Sequence, residues 1–144
     1  MKDNKWILGF ILIGVCCFRF LPHPPNVTPV IAIAVIAVAS FPTRLLQFGF
    51  PLLIMLVSDA VIGFHSLMPV VYGSIVLAGM SGFVLRKRLS FSTVLGTGLI
   101  ASVVFCLVSN LGVSFMGSLY PHTFSGLFMC YIAAIPFFHN TVLS

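Results

Sequence analysis

Asp59 stands inside a long apolar run, and Arg19 closes another just before the segment Phe-Leu-Pro-His-Pro-Pro-Asn. A charged side chain costs about 2.5–3.5 kcal/mol at the centre of a membrane helix even on lenient scales, so by default it marks a paired, interior or water-facing position. Arg19 lies about one turn from the end of its run and Asp59 about one and a half turns from the end of its own. Comparable depths allow an ion pair or a shared polar cavity. Two plainer readings stay open: Arg19 snorkelling outward from its helix end, and Asp59 stabilising a bend near Ser58 and Gly63.

The elements that would position these groups are apolar throughout. The chain of 144 residues is 60% hydrophobic and 6% charged, against roughly 25% charged in a soluble domain. Its mean hydropathy is +1.19. The fold class expected is therefore all-α, a polytopic membrane bundle of about six helices in a single transmembrane domain. A bilayer core needs about 20 apolar residues as helix. Breaks in the sequence give candidate spans 6–21, 27–41, 45–64, 69–85, 92–116 and 123–143. Continuous apolar runs instead of alternation favour helices over a barrel. The first run follows a basic start as a signal peptide would, yet it ends in Arg-Phe-Leu-Pro without a small-residue cleavage site, and is read as a retained helix. Span 27–41 is the shortest, a candidate for local bilayer thinning or a re-entrant path.

Charge orients the bundle. With the amino terminus in the cytoplasm, Lys2, Lys5, Arg44, Arg86, Lys87 and Arg88 fall on the cytoplasmic side and only Arg19 falls outside. Both termini are then cytoplasmic, in an integral protein expected in a bacterial inner membrane. Asn110, Tyr120, His122, His23, Asn26 and His65 also fall towards the outer side. Together with Arg19 and Asp59 they form the expected ligand-binding set: Arg19 for an anionic group, Asp59 for a cationic or donor group, Asn110 for orientation, and aromatic walls. His139 and Asn140, at the inner end of the last run, read as interface residues.

Small residues at four-residue spacing let helices approach closely, and Ser74, Ala78 and Gly82 form the clearest such stripe. Ala32, Ala34, Ala37 and Ala39 make the second span small without that spacing. They are the candidate partner-docking residues, with packing inside the bundle as the plainer reading.

Other chemistry lacks its motifs. Cys16, Cys17, Cys106 and Cys130 lie within apolar runs, without zinc-ligand spacing or a disulfide framework, and read as small hydrophobes. The histidines are scattered over separate segments, so no metal site is expected. No nucleophile elbow, metalloprotease pair or phosphate-binding glycine loop is present. No enzyme activity, cofactor or nucleic-acid partner is expected.

The stretches RFLPHPPNVTPV at 19–30, SDAVIGFH at 58–65, SNLGV at 109–113 and YPHTFSGLFMCYIAAIPFFHNTVL at 120–143 resemble a family of small bacterial membrane proteins of unknown function that carry a provisional transport-protein label. That family is distantly similar to the substrate-binding S components of energy-coupling factor vitamin transporters. The resemblance implies a six-helix solute-binding component that docks onto a membrane coupling protein with two ATPases. The second span lacks the four-residue alanine pairing expected of such a docking surface. The expected function is thus a small-solute-binding component of a transporter, with membrane lipids and a small solute as partners. The alternative is a non-catalytic accessory subunit of a larger membrane complex. A third reading, an ion channel, would need a polar lane through the inner half, and the sequence offers none.

Overall fold

The computed structural model describes residues 5–21 and 29–143. Six helices follow one another: α1 (Lys5–Phe20), α2 (Val30–Ser40), α3 (Arg44–Ile62), α4 (Met68–Lys87), α5 (Phe91–Met116) and α6 (Phe124–Val142). No strand occurs among the described residues. The α4 rod carries a 3-10 turn at Met80–Gly82.

Local chemistry sets the helix ends. Ser90 accepts the Thr93 N–H at 3.3 Å to start α5, and Thr123 accepts the Gly126 N–H at 3.2 Å to start α6, each satisfying one of the donors a helix start leaves free. Pro69 sits in the first turn of α4, where its missing N–H costs nothing. Gly63 closes α3 at φ 120°, a conformation other residues rarely adopt.

Helix α2 is the centre of the bundle. It packs on α3, on the full length of α4 and on α5, whereas α1 packs mainly on α3 and α6 mainly on α5. Buried side chains from four helices, Val15, Val30, Ile54 and Ile75 among them, form the main core. Ile31, Val35, Ala78 and Ala101 form a second cluster. The stripe Ser74, Ala78 and Gly82 is buried in α4. A Cβ at Gly82 would run into the Val35 carbonyl, so the α2–α4 approach depends on glycine there.

Helices α3, α4, α5 and α6 are long and apolar enough to cross a membrane. Large apolar side chains cover their outer faces: Leu45 is 80% exposed and Phe124 is 93% exposed. Such surface suits lipid, which does not penalise exposed apolar groups. Within span 27–41 the described helix has 11 residues, Val30–Ser40, or about 16 Å at the helical rise. It falls short of a bilayer core, and its neighbours bury Val30, Ile31, Ala34, Val35, Ala37 and Val38. Helix α1, with 16 residues, reaches about 24 Å.

Candidate functional site

Asp59 lies one turn before the end of α3, and Arg19 sits at the end of α1. The bundle places them side by side, with Arg19 Nη2 donating to Asp59 Oδ1 at 2.7 Å. Tyr72, one turn into α4, donates its hydroxyl to Asp59 Oδ2 at 2.8 Å. The other terminal nitrogen of Arg19 contacts the Met55 sulfur. Met55 and Asp59 are four residues apart on α3, so one helix face serves both arms of the guanidinium.

The pair is deep. The side chain of Asp59 is 2% exposed and that of Arg19 is 14% exposed. Removing two charges from water costs several kcal/mol per ion, which mutual attraction offsets only when the remaining hydrogen-bonding capacity is met. Here both carboxylate oxygens have a donor. Three helices are thereby joined by one carboxylate.

A cavity of about 150 Å³ adjoins this network, walled by Arg19, Val30, Ile31, Met55, Ile75 and Phe105 among others. Asp59 is not on its wall: its oxygens face Arg19 and Tyr72. Among the residues on its wall Arg19 alone carries a polar or charged side chain.

The remaining expected site residues do not converge on this point. Asn110, on α5, donates to the Cys106 carbonyl one turn earlier at 2.8 Å. With Tyr120 it lines a separate cavity of about 190 Å³ between α5 and α6. His122 is exposed, with Nε2 3.3 Å from the Gly117 carbonyl oxygen. His65 is exposed in the α3–α4 loop. His23 and Asn26 lie outside the described residues. Ala34 and Ala37 are buried, and Ala32 and Ala39 are half-buried. Gly79 of α4 sits so close that a Cβ there would touch Ala34. No cluster of three or more metal-ligating residues occurs among the described residues.

A family model matches residues 1–144, that of a family of unknown function, DUF6580. The chain belongs to this family. No curated protein and no solved structure matches it. Membership therefore leaves the chemistry to be argued from Arg19, Asp59 and Tyr72.

Tyr72 and Phe105 are the site residues that the sequence did not single out. Tyr72 reads as one aromatic among many, yet it stands one turn into α4 as Asp59 stands one turn before the end of α3. Depth matching across the short loop was the available signal. Phe105 offers no comparable signal, because its place on a cavity wall depends on rotation about the α5 axis.

Proposed function

We propose that this protein is a small-solute-binding membrane component of a transporter, similar in kind to an S component, with its polar site towards the outer face. The observation that carries the reading is the buried Arg19–Asp59–Tyr72 network beside an apolar cavity of about 150 Å³. A structural salt bridge needs no cavity, and an apolar packing defect needs no guanidinium; together they make a pocket with a polar anchor. On this reading the protein is not an enzyme. Energy for release comes from a membrane coupling protein with ATPases.

The topology belongs to the same proposal: six spans in the bacterial cytoplasmic membrane, both termini cytoplasmic. Its support is the charge pattern. Arg44, Arg86, Lys87 and Arg88 gather at the end of the bundle opposite Arg19, as cytoplasmic anchors do.

Native mass spectrometry of the protein taken from its source membrane tests the reading. Retention of a small molecule, weakened in Arg19→Lys, is expected. Solute-free protein held stably in a large complex without ATPases would sink it in favour of an accessory subunit.

A further inference from the structure

Phe105 lies on the wall of two cavities. One is the chamber beside Arg19, otherwise lined by Val30, Ile31, Met55, Val71 and Ile75. The other, between α5 and α6, presents Ser109, Asn110, Tyr120 and Thr141 beside Phe137 and Phe138. The Phe105 side chain also packs against both hydrophobic clusters. It is the shared partition.

The polar groups of the two chambers differ in kind. A guanidinium has five N–H donors, and Arg19 directs one from each terminal nitrogen to Met55 and Asp59. Its other N–H groups have no acceptor among the described residues. Asp59 already balances its charge. The second chamber is lined by hydroxyl, amide and thiol groups, with no charged side chain.

The geometry points to an uncharged ligand with a carbonyl-type acceptor on Arg19 and a flat apolar body, whose length Phe105 limits. This inference rests on the solute-binding reading and names its substrate class. A carboxylate would bring a third, unbalanced charge into an apolar chamber, which burial disfavours strongly. A carbonyl oxygen accepts the same N–H groups without that charge. A cavity of about 150 Å³ holds roughly one benzene ring, so a one-ring amide fills the first chamber. A longer ligand must displace Phe105 to reach the hydroxyl and amide groups beyond.

Benzamide and benzoate share a shape and differ in charge, which makes them the probes. Titration calorimetry on the protein in lipid nanodiscs, with empty nanodiscs as the blank, should give benzamide at least about tenfold tighter than benzoate. Biphenyl-4-carboxamide, one ring longer, should bind the native chain roughly tenfold more weakly than benzamide, and Phe105→Ala should close that gap. Phe105→Leu serves if the alanine variant does not fold.

Benzoate binding as tightly as benzamide overturns the ligand class, as does binding of neither. An unchanged length preference in both variants overturns the role of Phe105. If either failure occurs while native mass spectrometry still finds a retained solute, the solute-binding reading stands without this inference. If no solute is found by either method, both fall.

Discussion

At one end of the bundle Arg19 meets a carboxylate between the helices; at the other, Arg86 meets backbone at the surface. Arg86 Nε donates to the Val38 carbonyl at 2.7 Å, and a second nitrogen donates to the Phe41 carbonyl. Gln47 adds its amide to the same Phe41 oxygen at 2.8 Å. Arg44 and Arg86 both lie over the Phe83 ring, at 5.2 and 5.8 Å from its centroid. No carboxylate takes part at that end among the described residues.

The difference lies in what each arginine completes. Helix α2 is short and leaves carbonyls unmet at its C-terminal end, and Arg86 supplies donors from a rod running alongside. Its charge can remain in contact with water. Arg19 instead brings its charge inside and needs a counter-charge to remain there. One end resembles a helix cap built in tertiary structure; the other is a polar site enclosed by apolar walls.

Removing one partner of the enclosed pair should have the largest effect. Arg19→Ala or Asp59→Ala leaves an uncompensated buried charge, expected to cost about 3–5 kcal/mol. Thermal unfolding in detergent should show a large loss for each. Combining Arg19→Leu with Asp59→Leu should restore much of it, because an apolar pair carries no orphaned charge.

Gly82→Ala should follow, at about 1–3 kcal/mol, since the α2–α4 approach leaves no room for a Cβ at the Val35 carbonyl. The same unfolding assay reads it, and Gly73→Ala, with nothing near its Cβ position, is the control. Tyr72→Phe removes one donor from a charged acceptor and should cost about 1.5–3 kcal/mol. It should also weaken solute retention in native mass spectrometry, which Gly82→Ala should not. Arg86→Ala should cost least, about 0.5–1.5 kcal/mol, because water can reach part of what it leaves behind. Hydrogen exchange should quicken in the last turn of α2 and nowhere near Asp59. Equal effects at Arg86 and Arg19 would erase the distinction between the two ends.

Much of the framework was legible because apolar runs and their breaks are one-dimensional signals. Prolines, Arg44 and the Arg86–Arg88 cluster bracket the helices within a few residues of the structure. Depth was legible as well, which is why Arg19 and Asp59 could be matched across separate runs. Rotation about each helix axis was not. Asn110 shares the outer half of the bundle with Asp59 but faces the α5–α6 cleft, and no spacing in an apolar run of this kind fixes that angle. Hydropathy likewise does not report where helical hydrogen bonds begin: α2 runs from Val30 to Ser40, inside an apolar run that the sequence draws from 27 to 41.

The burial of α2 has a consequence for how the protein is made. Eleven residues are too few to be held in hydrocarbon by their own length, so this helix depends on surfaces that emerge from the ribosome after it. The wall against α5 cannot exist until residues up to Met116 have been synthesised. Its walls against α3 and α4 can form once Lys87 has been made, so the central piece of the molecule is enclosed in steps, with α5 closing last.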